Sequence, residues 1–272
     1  VLSRVKNHPH NNNNNNNKIK TMKVLTGNPH LAVERAERRF RFQLVRLVED
    51  GSLSLPLLKI FVQDKDVVAI YSQTLSYTDG ITDKLKDILL IVENENIVRL
   101  KQKMPLITLI NDCCLAFSVL CHQPSTRLFD LSKKMITPVI VTLDAHKHIG
   151  TDKGLSTVIG TKGTLSVLNN SIKVGAQPTI NTLIRALACM KLIGKLKYVK
   201  QYELLGTYMN KLANVVEKDL GLNIIHAKNR MIGSTVISVE DPSGIYKKLI
   251  KKKGHILASL FNLYPEHPNK CQ

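Results

Sequence analysis

The sequence has no tryptophan, and its aromatic content is only 5%. A surface that binds single-stranded nucleic acid needs aromatic platforms for the bases, and this composition argues against one. Acidic residues are scarce as well: 21 Asp and Glu stand against 39 Lys and Arg, leaving a formal charge of +18. Cysteine is sparse. The five cysteines (Cys113, Cys114, Cys121, Cys189 and Cys271) are odd in number and sit in apolar settings. They show neither the C-x-x-C spacing of a metal site nor the framework of a secreted, disulfide-stapled domain. A reducing, intracellular compartment suits them, and the expected localisation is cytoplasmic. No apolar run approaches the roughly eighteen residues of a membrane span. Val1-Leu2-Ser3-Arg4 is neither a signal peptide nor a start at Met, so the expectation is a soluble piece of something longer.

What remains is ample for a buried core. At 272 residues, 43% hydrophobic and 22% charged, the chain fits one large domain or a large and a small one. His8-Pro9-His10 is followed by asparagine from Asn11 to Asn17. Such a tract has nothing to bury, so residues 1–20 are read as a disordered Asn-rich segment; His8 and His10 beside it lack the fixed geometry of a metal site. Segments of the two structural periods then alternate. Strands are expected at Thr21–Leu25, Phe42–Val48, Val67–Tyr71, Leu106–Ile110, Thr137–Leu143 and Leu155–Gly160. Helices are expected at His30–Phe42, Ser54–Phe61, with Pro56 in its first turn, and Thr82–Ile91. Apolar strands alternating with helices predict an α/β fold with a parallel sheet covered on both faces.

A break near Asn169–Pro178 introduces a different rhythm. Two long helices are expected at Ile180–Gly194 and Tyr198–Leu220, closed by Gly194 and Gly221. Strands follow at Ile224–Ala227 and Thr235–Glu240, then a helix at Pro242–Lys253 and a last strand at His255–Asn262. The reading divides the chain into a large domain over residues 21–170 and a small C-terminal α/β domain over 171–272.

Open α/β sheets place their sites at the carboxyl ends of buried strands, and two such ends carry polar residues. One is Val139-Ile-Val-Thr-Leu-Asp144, which runs into Ala145-His146-Lys147 and a turn containing glycine. A lysine in that place can serve as an amine nucleophile toward a carbonyl, although a lone lysine after a strand is more often a solvated loop residue. The other is Leu106-Ile-Thr-Leu-Ile-Asn111, which delivers Asp112. Alone, Asp112 would more often be a cap or a surface acid. An Asp and a Lys at neighbouring strand ends are what a pyridoxal phosphate site needs: the amine forms a Schiff base, and the carboxylate keeps the pyridine nitrogen protonated.

In this setting five segments, in order along the chain, resemble the pyridoxal phosphate-dependent group II decarboxylases, the aromatic amino acid and glutamate type, together with sphingosine phosphate lyase. Pro29-His-Leu-Ala-Val-Glu-Arg-Ala36 is similar to the family's His-x-x-x-x-Lys/Arg-Ala segment, which implies that His30 stacks on the cofactor ring. Ser72-Gln-Thr-Leu-Ser-Tyr-Thr-Asp-Gly-Ile-Thr-Asp83 resembles the lyase segment ending in Gly-hydrophobe-x-Asp-Pro, and places Ser72 near the cofactor. Asn111-Asp-Cys-Cys-Leu-Ala-Phe117 resembles Val-Asp-Ala-Cys-Leu-Gly-Gly-Phe, giving Asp112 the pyridine-nitrogen role with Cys114 beside the ring. Asp144-Ala-His-Lys-His-Ile-Gly150 matches Asp-x-His-Lys, so Lys147 is the implied Schiff-base lysine, with His146 and Asp144 as its neighbours. Lys153-Gly-Leu-Ser-Thr-Val158 is similar to Lys-Gly-Ser-Ser-Val-Val. The separation of Asp112 from Lys147 is close to the family's.

The resemblance implies a fold type I pyridoxal phosphate-dependent transferase: a partial large domain with a mostly parallel sheet plus a small C-terminal α/β domain. It also implies a lyase acting on a small-molecule amine, amino-acid decarboxylase or sphingosine phosphate lyase-like, with Lys147, His146 and His30 as catalytic residues, no metal, and a homodimeric assembly. His30 and His146 suit stacking and proton transfer, since imidazole exchanges protons near neutral pH. Three departures qualify the match. The family's phosphate-binding segment would precede Val1, so a fragment lacking that segment is expected. Cys114 would crowd the ring where the family has small residues. Lys173-Val-Gly-Ala-Gln-Pro178 stands where the lyase has Gly-Ser-Arg-Pro-Gly. A catalytically incomplete homologue or dimer partner is therefore the main alternative. A nucleic-acid or membrane-surface binder, with Lys247, Lys248 and Lys251–Lys253 as its footprint, lacks any recognition motif and ranks below both.

Overall fold

The computed structural model describes residues 21–76, 80–116, 135–148, 155–161, 163–164, 179–219, 221, 223–224, 239–240 and 270–271. In chain order the elements are β1 (Lys23–Thr26), α1 (Leu31–Phe40), β2 (Gln43–Arg46), β3 (Val48–Glu49), β4 (Ser52–Leu53), α2 (Leu55–Phe61), β5 (Val67–Gln73), α3 (Leu85–Lys101), β6 (Thr108–Asp112), β7 (Val139–Asp144), α4 (Ala145–His148), β8 (Ser156–Gly160), α5 (Ile180–Asn214), β9 (Val239–Glu240) and β10 (Lys270–Cys271).

The sheet is built around β5, whose Val-Val-Ala-Ile-Tyr-Ser-Gln run is buried at all positions but Val68, as a central strand with both faces covered requires. Six strands pair in the order β2-β1-β5-β6-β7-β8. β2, β1, β5, β6 and β7 are parallel, while β8 runs antiparallel to β7. The expectation of a parallel sheet is thus met except at this edge. The connection over residues 145–155 falls short of the dozen or more residues that a parallel crossover takes, so the chain turns back on itself.

Strand alternation divides the core in two. On one face Leu25, Ile70, Leu109 and Val141 pack with Leu58 of α2 and Ile88 and Val92 of α3. On the other, Val24, Ala69 and Tyr71 pack with Val33 of α1, Phe42 and Ile110. The sheet is therefore covered from both sides, with α1 alone among these helices on the second face.

Three elements depart from the sequence reading. The strand expected through Val48 stops at Arg46, and a short hairpin, β3 to β4, follows; Asp50 and Gly51 turn it with φ of 47° and 79°, the left-handed pair that two-residue hairpin turns demand. α3 begins three residues later than expected, because Asp83 is drawn out of the helix to bond the backbone of Leu53 and Gln73. It then continues past Ile91 to Lys101, because its polar side chains are themselves internal. Asn96 exchanges two hydrogen bonds with the backbone of Ile107, and Arg99, 1% exposed, donates to the carbonyls of Val62, Asp64 and Val67. The carboxylate of Glu93 accepts the N–H groups of Ile136 and Thr137. Burial alone would push the Glu93 carboxyl up, but the hydrogen bond from the Thr137 side chain and these two backbone bonds outweigh it and hold the group below its ordinary value.

α5 contains the break expected at Gly194, where φ of 64° and ψ of 158° interrupt two helical stretches; a turn of π-helix over Val215–Asp219 follows. β9 pairs antiparallel with β10. The Asn-rich segment, the break near 169–178, the helix expected at 242–253 and the strand expected at 255–262 lie outside the described residues, as does the Lys251–Lys253 run. Among the described residues no helix is long and apolar enough to cross a membrane.

Candidate active site

Strand order reverses once in this sheet: β1 is followed by β2 on one side and by β5 on the other. The carboxyl ends at such a reversal open a crevice in which α/β sheets bind ligands. Here the crevice is lined by the loop after β1. Its Gly27 lies so close to the hairpin that a Cβ would stand 2.7 Å from the Leu53 nitrogen. His30 ends the loop as the N-cap of α1, and its Nδ1 accepts from the Ala32 N–H at 3.2 Å. Gln73, the last residue of β5, reaches across; in the amide orientation that satisfies its bonds, its oxygen accepts from the His30 N–H at 2.9 Å and its nitrogen donates to the Asn28 carbonyl at 3.1 Å.

Asp112 ends β6 beside this crevice. Its Oδ1 accepts from the Cys114 N–H at 2.9 Å and its Oδ2 from the Tyr71 hydroxyl at 2.6 Å. Gln73 pairs with Asp112 and Asp112 with Thr142 in the sheet register, so Tyr71, Gln73, Asp112, Thr142 and Asp144 share the α1 face. The Tyr71 phenol is pushed well above its ordinary range, first by burial and then by the charge of Asp112. The Cys114 thiol, whose sulfur lies 3.7 Å from the Thr142 hydroxyl, is pushed up to about 12 by burial and by the same charge. At neutral pH it is a thiol, not a nucleophilic thiolate.

Lys147 lies in the single turn α4 that follows β7. Its Nζ is 2.8 Å from Asp144 Oδ2, and its side chain is 37% exposed. The other oxygen of Asp144 accepts from the Ser156 hydroxyl at 2.6 Å. Burial pushes the Asp144 carboxyl up, but the hydrogen bonds from Lys147 and Ser156 and the charges of Lys147 and His146 outweigh it and hold the group below its usual value. Next to it, the His146 Nδ1 is buried and has no hydrogen-bond partner among the described residues.

The structure thus brings Asp112, Cys114, Asp144 and the backbone of Lys147 to the same edge of two adjacent strands, with His30 at the crevice between β1 and β5. It does not bring Ser72 to them. Ser72 points to the opposite face, fully buried, where its hydroxyl bonds Asn111 at 3.2 Å; Asn111 in turn bonds Thr74 and Cys113. The resemblance had placed Ser72 near a cofactor, whereas strand alternation turns its side chain into the α2–α3 side of the core. Tyr71 and Gln73 escaped the sequence reading, although their signal was present: each lies one position from Ser72, and a buried tyrosine hydroxyl requires a partner.

No family model matches the sequence, and no curated protein matches it. Solved structures do. A sphingosine-1-phosphate lyase of Burkholderia pseudomallei superposes with a TM-score of 0.67 at 13% identity over 94% of this chain. A NifS-like protein gives 0.65 at 17% over 92%, and mouse CSAD gives 0.60 at 12% over 84%. The fold is that of the type I pyridoxal phosphate-dependent transferases. At these identities the likeness concerns the fold. This chain spans 58% of the length of the lyase, 69% of the NifS-like protein and 50% of mouse CSAD.

Proposed function

We propose that this type I chain binds pyridoxal phosphate through Lys147 and Asp112 and belongs to a carbon–carbon lyase acting on an amine. The observation that carries the reading is the placement of a carboxylate and a primary amine at the carboxyl ends of β6 and β7, adjacent parallel strands of a type I fold. The donor set fits the cofactor: an acid held by two donors suits a pyridine nitrogen, a solvent-accessible lysine suits an aldehyde, and the buried Nδ1 of His146, without a hydrogen-bond partner among the described residues, leaves an acceptor or donor for a polar group.

Pyridoxal phosphate, when bound, supplies an aldehyde that takes up amines and a protonated ring that draws electrons from a bond at the amine-bearing carbon. The protein's own residues would do the rest. Lys147 would anchor the cofactor by its ε-amine, and Asp144 would hold that side chain in place before the cofactor binds. Asp112 would face the pyridine nitrogen. His30, fixed at the start of α1 by its bond to Ala32, would cover the ring, and His146 would pass a proton at its Nδ1. Cys114, protonated at neutral pH, would pack beside the ring as a small apolar group.

Among the reactions open to such a site, cleavage of a phospho-amino alcohol is supported by Gly80-Ile-Thr-Asp83, Asp112-Cys-Cys-Leu115 and Lys153-Gly154, and by the likeness to a solved sphingosine-1-phosphate lyase. Decarboxylation of an amino acid is the neighbouring reading, and a homodimer is the proposed assembly. The test is an absorbance titration of the purified chain with pyridoxal phosphate, followed by borohydride reduction and peptide mapping. A visible band, trapped on Lys147 and lost in Lys147→Ala, is the expected result. Label scattered over surface lysines would instead identify an incomplete homologue.

A further inference from the structure

We propose that Tyr71 is a positioning residue for Asp112, its hydroxyl holding the carboxylate in the orientation that meets the pyridine nitrogen. The inference rests on the pyridoxal phosphate reading and extends it to a residue on a different strand. Asp112 is the last residue of β6 and would be free to rotate about two side-chain bonds. It is instead held at both oxygens, by the Cys114 N–H at Oδ1 and by the Tyr71 hydroxyl at Oδ2. The backbone donor comes from Asp112's own loop and moves with it. Tyr71 does not: the residue is 7% exposed and packs with Val24, Ala69 and Ile110 in the core beneath α1. The sheet interior thereby sets the direction of the acid.

The tie is a permanent one at neutral pH. Burial and the neighbouring charge keep the phenol protonated far above its ordinary range, so Tyr71 is always the donor and Asp112 always the acceptor. Each carboxylate oxygen accepts more than one hydrogen bond, so these two donors leave room for an N–H from a ring. A carboxylate already oriented before the ligand arrives forms that third bond without the cost of ordering a rotamer.

Tyr71→Phe removes the hydroxyl and keeps the ring packing. In the full chain, affinity for pyridoxal phosphate should fall about tenfold, the scale of one hydrogen bond to a charged group. The nitrogen resonance of pyridoxal phosphate labelled with 15N in its ring should move toward the unprotonated value, a change that loss of packing alone would not produce. A third measurement needs no cofactor: the wild-type chain should show a downfield, slowly exchanging hydroxyl proton that is absent in Tyr71→Phe and displaced in Asp112→Asn. Lack of that proton in the wild type overturns the pairing. A wild type that binds the cofactor while Tyr71→Phe matches it in affinity and nitrogen resonance overturns the positioning role alone. A wild type that does not bind overturns the cofactor reading and this role with it.

Discussion

Asp83 and Gln73 bond each other in both directions: the Gln73 N–H donates to Asp83 Oδ2 at 2.8 Å, and the Asp83 N–H donates to the Gln73 carbonyl at 3.0 Å. The remaining oxygen, Oδ1, takes the Leu53 N–H at 2.7 Å. One side chain therefore fixes the end of β5, the β3–β4 hairpin and the approach to α3. Asp83→Ala leaves two backbone N–H groups without their charged acceptor and should cost about 3 kcal/mol of stability. Urea unfolding of the two proteins measures it, and a loss below about 1 kcal/mol would mean that water replaces the carboxylate.

Arg99 offers a second test. Its guanidinium spreads across the carbonyls of Val62, Asp64 and Val67 while its Nε lies 3.1 Å from Glu95 Oε1. Arg99→Lys keeps the charge but loses the fork, so several carbonyls lose their donor in a dry site. A destabilisation of about 3 kcal/mol is expected, read as a lower denaturation midpoint with an unchanged slope.

Gly27→Ala tests the close approach at the crevice. The added Cβ would meet the backbone nitrogen of Leu53 at 2.7 Å and its Cα at 3.0 Å, and backbone cannot rotate away as a side-chain end can. The hairpin must shift, at about 1–3 kcal/mol. Amide exchange should quicken in residues 48–53 before it does in β5 or β6.

The Asp144–Lys147 pair gives a pH dependence of definite sign. The Asp144 carboxyl is held below its usual value in the folded protein, so its contribution is fully present above the unfolded value of about 4 and is lost as pH falls through the folded value. With Lys147 37% exposed, solvent screening keeps the contribution below about 1 kcal/mol. Asp144→Asn should therefore be slightly less stable than wild type at pH 7, and the difference should shrink as the pH falls below the ordinary carboxyl range, as measured by denaturant unfolding across the acid range.

The strands were legible in the sequence because a buried parallel strand is a short apolar run and little else. Val67–Tyr71 and Thr137–Leu143 locate β5 and β7 to within a few residues for that reason. The ends of α3 were hidden because pattern reading equates polar with exposed, whereas Asn96 and Arg99 spend their polarity on backbone groups inside the fold. The hairpin was hidden by its brevity, although Asp50-Gly51 carried the turn signal. Of the site, Asp112 and Lys147 were legible as polar residues at strand ends. Tyr71 was not, because its partner lies 41 positions away and is set by register, a quantity that a single strand does not contain.

The order β2-β1-β5-β6-β7-β8 also has a consequence for how the chain emerges during synthesis. β1 has a neighbour waiting on one side once β2 has been made, and each later strand of the sheet docks beside one already present. No strand must wait for a partner from beyond the next strand to join the sheet. The sheet can therefore grow outward from β5 toward β8 as translation proceeds, with the open edge always held by the most recently made strand. The longest wait falls in the connection between β5 and β6, residues 74–107, so Tyr71 is already made well before Asp112, the partner its hydroxyl will hold.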